Sequence, residues 1–182
     1  MNDITRKKST VIYKGDYISL RNDELYRGNT FLSSRDVVEH IGSVVTVPYE
    51  ISSTGEIFFY LVRQWRNPID RWLLEFPAGT LNGAENPEDA VVRELQEEIG
   101  KFPEAIEFHS DFFVAPGWCN EKMYCFFASK FRESKLDSDV DEDIKVEKLS
   151  LIELKKKVEK SEIKDLKTIA SFYLFCEKNG VK

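Results

Sequence analysis

A chain of 182 residues with 42% hydrophobic side chains fits one compact domain with a real core and leaves little room for a second. Its 26 basic and 32 acidic side chains leave a net charge of −6, which argues against a general nucleic-acid binder but not against a small phosphorylated substrate. No run reaches the roughly 18 apolar residues of a membrane span, and MNDITRKKST at the start has no apolar stretch behind it, so no signal peptide or membrane segment is expected.

In chain order, residues 9–20 and 32–39 read as strands of an N-terminal region, with Arg27-Gly28-Asn29 as a turn between them. Residues 43–49 (SVVTVPY) and 56–64 (EIFFYLVRQ) are rich in β-branched and aromatic side chains and read as strands around a turn at Ser52 to Gly55. Asn86-Pro87-Glu88-Asp89 starts a helix: Asn86 caps the early amides, Pro87 fits the first helical position, and the acids suit the positive end of the dipole. That helix runs to Ile99 on the stripe Val91, Leu95, Ile99, and Gly100 ends it. Strands are expected again over 107–114, 122–131 and 144–149. Ser150-Leu-Ile-Glu153 is a capping box that opens a helix to Lys160, and a last helix spans 165–178. Strands, helix, strands and two helices make an α+β protein with a mixed sheet packed between helices.

Three cysteines, Cys119, Cys125 and Cys176, lack paired spacing and give neither a disulfide framework nor a zinc site, which suits a reducing cytoplasmic setting. The lone histidines His40 and His109 read as structural. Tyr17 and Trp118 have rings of the kind that stack on a base, but an aromatic is more often core.

The chemistry concentrates on the first helix. Glu94 with Glu97 is an i, i+3 pair and Glu94 with Glu98 an i, i+4 pair, so three carboxylates share a face and repel one another. A hard divalent cation relieves that repulsion; a solvated acidic face paired with Arg or Lys is the plainer alternative. The stretch before it, Glu75-Phe-Pro-Ala-Gly79 and Thr80-Leu-Asn-Gly-Ala84, has the glycines and proline of a loop that brings backbone close to a ligand.

Together these segments resemble the Nudix box, G-x5-E-x7-R-E-U-x-E-E-x-G-U, at Gly79, Glu85, Arg93, Glu94, Leu95, Glu97, Glu98 and Gly100. The final aliphatic position is Lys101, at the helix exit and away from the acidic face. Arg35 to Val44, Gln64-Trp-Arg66-Asn-Pro68, Leu74 to Gly79, Ala115-Pro116-Gly117-Trp118 and Ile163 to Thr168 extend the likeness to ADP-ribose pyrophosphatases. Pro116, 16 residues after Gly100, matches the position by which ADP-ribose hydrolases are told from other Nudix enzymes.

The resemblance implies an α/β/α sandwich over residues 41–182 and an N-terminal β arm over 1–40 that mediates a strand-exchanged homodimer. It implies Mg²⁺-dependent hydrolysis of ADP-ribose to AMP and ribose 5-phosphate, with Mn²⁺ as a substitute ion. Glu94 and Glu98 would hold the metal, with Glu97 assisting and the Ala78 carbonyl completing the shell. Gly79, Glu85, Arg93 and Gly100 would shape and brace the box. The base would come from the acidic loop at 139–143, where Glu142 matches best. Arg35, Arg66, Glu75 and Pro116 would face the substrate. The alternatives are another nucleotide sugar such as GDP-mannose, NADH, a dinucleoside polyphosphate, or a sensor that binds ADP-ribose without cleaving it.

Overall fold

The β-branched and aromatic runs become strands in a computed structural model that describes residues 3–137 and 144–181. The chain divides into two units: residues up to Gly42 with Phe112–Met123, and Ser43–Asp111 with Tyr124 onward.

In the first unit, β1 (Ile4–Lys14), β2 (Ile18–Arg27) and β3 (Thr30–His40) form an antiparallel sheet in that order. The single strand expected over 9–20 is instead the end of β1 and the start of β2. The Gly15 amide donates to the Ile18 carbonyl at 2.9 Å and reverses the chain there. Aromatic residues on both sides of a lone glycine hid that turn. The turn expected at Gly28 is present, with φ +59°. The segment after Phe113 is lashed to β3: the Val38 amide donates to the Trp118 carbonyl at 2.8 Å, and the His40 amide to Asn120 Oδ1 at 2.7 Å. Val11, Ile12, Tyr13 and Phe31 remain exposed on this sheet.

The second unit contains β4 (Ser43–Ile51), β5 (Ile57–Arg66), β6 (Arg71–Glu75), β7 (Ala78–Thr80), most of β8 (Lys101–Phe113) and β9 (Lys122–Glu133), and β10 (Lys145–Ser150). The sheet order is β10-β5-β4-β9-β8, with β6 paired to β5 and β7 to β4. Successive strand residues point to opposite faces. Val44, Tyr60, Val62, Phe126 and Ala128 therefore share one face and pack with Val91 and Leu95 of α1 (Pro87–Glu98). Phe59, packed edge-on against Phe172 and Phe175 of α3 (Leu166–Lys178), lies on the other, as does Phe127. α2 (Leu151–Glu159) contacts β5 and β10. The α+β class and the helix-sheet-helix layering follow from this parity. Burial of Leu95 alone is worth about 2 kcal/mol.

Helix α1 forms as its sequence dictates: Asn86 Oδ1 accepts from the Glu88 amide, Pro87 leads, and Gly100 leaves at φ +69°. That glycine sends the chain directly into β8, which begins at Lys101, six residues before the strand expected from 107, and carries Pro103, a residue unusual inside a strand. The capping box of α2 is complete, with Glu153 accepting from the Ser150 amide at 2.9 Å. β6 and β7 were not anticipated, being short and embedded in a glycine- and proline-bearing stretch. The three cysteines are free and buried, Cys119 in the first unit and Cys125 and Cys176 in the second; burial pushes the Cys125 thiol up to about 11. Among the described residues no helix is long and apolar enough to cross a membrane.

Candidate active site

The stretch from β7 to α1 is organised by one cation. Arg93 grips Glu85 with two parallel bonds, Nε to Oε1 and Nη2 to Oε2, both 3.0 Å. The same guanidinium donates to the Thr80 carbonyl at 3.2 Å, to Glu94 Oε1 at 2.6 Å and to Glu97 Oε2 at 3.0 Å. Glu85 also accepts from the Asn82 amide at 2.9 Å, so the loop is tied to the helix at both ends. The Arg93 bond holds the Glu85 carboxyl below its ordinary range, and Glu85 in turn pushes the Arg93 pKa up.

Glu94 and Glu98 lie one turn apart and are only 8% and 6% exposed. Gly79 sits directly under Glu94: a Cβ added there would collide with the carboxylate. Its backbone needs no positive φ, so glycine is required for this close approach alone. Ala78, the expected carbonyl donor, lies in β7 opposite Val45 of β4.

These residues fit a divalent cation by their chemistry. Burying carboxylates without compensating charge is costly; Glu85, Glu94 and Glu97 are all bonded to the single guanidinium of Arg93, and Glu98 is buried one turn from Glu94. Among the described residues no three acidic, His or Cys side chains already converge as a cage. Mg²⁺ does not require one, because it binds through one or two carboxylates and completes its shell with water and phosphate oxygens.

A second cluster lies at the β5–β6 edge. Glu75 is fully buried, and its carboxylate accepts from Arg66 Nε at 2.8 Å and Nη2 at 2.6 Å. Lys167 of α3 also bonds Glu75 and donates to Asp165 at 2.9 Å. Asp165 caps α3 by accepting from the Thr168 amide and hydroxyl, while Thr168 Oγ1 accepts from the Phe76 amide at 2.8 Å. Burial alone would raise the Glu75 pKa; the bonds from Arg66 and the charge of Lys167 outweigh it and hold the carboxyl low. Arg66 remains 36% exposed and feels the charge of Glu98. Lys167 and Asp165 are the members that sequence reading did not single out, although Asp-Leu-Lys-Thr at 165–168 lay inside a quoted segment. Glu75, expected to face substrate, has no exposed surface.

The remaining expected site residues belong to the first unit or lie outside the described residues. Arg35 is exposed on β3 and donates to the Ser34 carbonyl. Pro116 sits in the turn Ala115–Trp118, where the Trp118 amide donates to the Ala115 carbonyl at 3.1 Å, and it lines a shallow cleft with Val37, Phe113 and Trp118. His40 accepts from the Gly42 amide, and His109 stacks on Phe127. Glu142 and its acidic neighbours over 139–143 lie outside the described residues.

Residues 42–172 match the model of the NUDIX domain. The ADP-ribose pyrophosphatase of Bacillus subtilis (strain 168) is 33% identical over 159 residues, which cover 86% of this chain and 84% of that protein. The methanol dehydrogenase activator of Bacillus methanolicus is 30% identical, with 89% of this chain and 86% of that protein covered. A solved structure described as an ADP compounds hydrolase superposes with a TM-score of 0.80 over 98% of this chain and 97% of its own, at 18% identity, a likeness of fold.

Proposed function

This chain belongs to the NUDIX family and is a pyrophosphohydrolase of the nucleotide-sugar type, and from that premise we propose that it hydrolyses the diphosphate of ADP-ribose to AMP and ribose 5-phosphate. The observation that carries the reading is the pair of buried carboxylates, Glu94 and Glu98, one turn apart with Glu94 against the bare backbone of Gly79. The similarity to a relative named ADP-ribose pyrophosphatase supports the choice of substrate, as does Pro116.

Glu94 and Glu98 would hold Mg²⁺, with Glu97 and the Ala78 carbonyl assisting and Mn²⁺ as a substitute. When bound there, the ion would supply charge that neutralises the diphosphate and lowers the pKa of a water. The protein's own groups do the rest. Arg66 keeps Nη1 outside its fork with Glu75, and that N–H donates to a diphosphate oxygen. Glu75 acts through Arg66, fixing the direction of the guanidinium. Arg93 and Glu85 keep loop and helix in register so that the carboxylates do not splay. Glu142, read from the sequence alone, accepts the proton of the attacking water as the bond from phosphorus to the bridging oxygen breaks. Arg35 and Pro116 shape recognition of the nucleoside. The strands up to His40 serve as a dimerisation arm in a cytoplasmic homodimer, a role supported by exposed Val11, Ile12, Tyr13 and Phe31.

The test is a panel of ADP-ribose, GDP-mannose, NADH and diadenosine polyphosphates, each assayed with Mg²⁺ and with EDTA. ADP-ribose is cleaved fastest, only with the ion present, releasing AMP. Preference for GDP-mannose would move the substrate while keeping the chemistry, and a panel left intact with Mg²⁺ would overturn the reading.

A further inference from the structure

Charge is inverted in one cleft of the second unit. The chain as a whole carries −6, yet a cleft of about 290 Å³ between the β5–β6 hairpin and the α2–α3 loop is lined by Arg63, Arg71, Lys157 and Lys164 against a single acid, Glu162. Two of these cations are paired: Arg63 with Glu147 at 2.7 Å and Lys157 with Glu162 at 3.0 Å. Among the described residues Arg71 and Lys164 have no ion pair, and both are exposed. Like charges gathered at one concavity repel, and among the described residues Arg71 and Lys164 have no acidic partner to offset them.

The cleft is also built to hold its shape. Ser161 takes a left-handed φ of +57° at the end of α2, the Ser161 amide donates to the Val158 carbonyl at 2.9 Å, and the Glu162 amide donates to the Lys157 carbonyl at 2.8 Å. Ile163 is buried behind that turn and Leu74 beneath the strand, so Lys157 and Lys164 project from pinned backbone. Trp72 forms a rigid wall, 41% exposed and packed edge-on against Trp65 at 5.8 Å, with Lys145 over its ring. None of the lining residues belongs to the candidate active site. Leu74 and Glu75 are neighbours on a strand and point to opposite faces of the sheet, so the cleft opens away from the Glu75 cluster.

We propose that this cleft is a second anion site that binds the phosphate groups of a small phosphorylated compound, separately from the hydrolytic centre. Arg71 and Lys164 supply charge-assisted bonds to phosphate oxygens, Arg63 and Lys157 add field from their paired positions, and the Trp72 face accepts a base where the ligand carries one. A volume near the lower end of ordinary ligand pockets suits two or three phosphates better than a whole dinucleotide. Two sources share this chemistry, a free nucleotide and an inorganic oligophosphate.

The experiment is calorimetric titration of the full chain with pyrophosphate and, separately, with ADP, both in EDTA so that no metal-bridged binding occurs. Three proteins are compared: wild type, Arg71→Ala with Lys164→Ala, and Arg66→Ala. Wild type binds pyrophosphate; the double variant, altered only at exposed positions, weakens that binding about ten- to a hundredfold, while Arg66→Ala leaves it in place. ADP binding several-fold tighter than pyrophosphate, and lost with Trp72→Ala, assigns the site to a nucleotide; equal affinities assign it to the oligophosphate. Binding removed by Arg66→Ala and untouched by the double variant, or no binding of either probe by wild type, overturns the proposal. Because no arm measures turnover, the outcome is independent of whether the substrate panel succeeds.

Discussion

The Glu75 cluster and the acidic face of α1 both bury carboxylate in the same unit, yet they are balanced differently. Around Glu75 the charges close: Arg66 and Lys167 face Glu75 and Asp165, cation for anion. Around α1 one guanidinium is shared: Arg93 bonds Glu85, Glu94 and Glu97 at once, with Glu98 buried nearby, and a set shared in this way is the more open one. A closed cluster holds a side chain in one direction, whereas an open one keeps affinity for a cation from solution. The difference separates a cluster suited to holding a side chain in place from one suited to taking up a cation.

The sharpest way to break this contrast is Glu98→Gln, which removes charge from the open cluster at constant shape. Turnover with Mg²⁺ falls by roughly three orders of magnitude or more with an unchanged circular dichroism spectrum; a wild-type rate would sink the metal assignment. Gly79→Ala comes next. Its new Cβ displaces the Glu94 carboxylate, and turnover drops about a hundredfold while the half-saturating Mg²⁺ concentration rises. In the closed cluster, Arg66→Ala lowers kcat/KM about ten- to a hundredfold, chiefly through KM, if the proposed charge-assisted bond from Nη1 to substrate is made. Equal losses in kcat and kcat/KM would place Arg66 in the transition state instead.

Lys167→Met tests closure itself. Glu75 loses one of two cations, and stability measured by urea unfolding falls by about 1–3 kcal/mol. One carboxylate from each cluster sets a pH dependence. Glu75 and Glu85 are held below their ordinary value of 4.5 in the folded chain, so the unfolded chain takes up protons first as pH falls. Their contribution is complete above that value and is lost progressively below it. The melting temperature therefore changes little between pH 7 and 5 on their account and declines below about 4.5; a profile flat to pH 3 would contradict the assignment. The smallest effect is outside both clusters: Asn86→Ala removes the cap of α1 and costs about 1 kcal/mol without altering KM.

What sequence conveyed follows the distance over which each feature is encoded. The box, the caps at Asn86 and Ser150 and the exit at Gly100 are set within a few residues, and each was legible as spacing. The Glu75–Lys167 bond joins residues 92 apart, and no local pattern marks it. The same holds for the basic cleft, where Arg71 and Lys164 come from a hairpin and an interhelical loop that meet only in the folded chain. The turn at Gly15 and the early start of β8 were missed: a lone glycine among aromatic residues is a weak turn signal, and Pro103 is unusual inside a strand. Gly79 was read as a loop glycine that lets backbone approach a ligand; in the structure its missing Cβ makes room for the Glu94 carboxylate.

The buried cysteines also give the chain a built-in kinetic reporter. Cys119 lies in the first unit, while Cys125 and Cys176 lie in the second, and burial raises the pKa of both second-unit thiols. A maleimide reacts with each only when its surroundings open, so tryptic mapping of the labelled sulfur atoms would time the opening of each unit within a single sample.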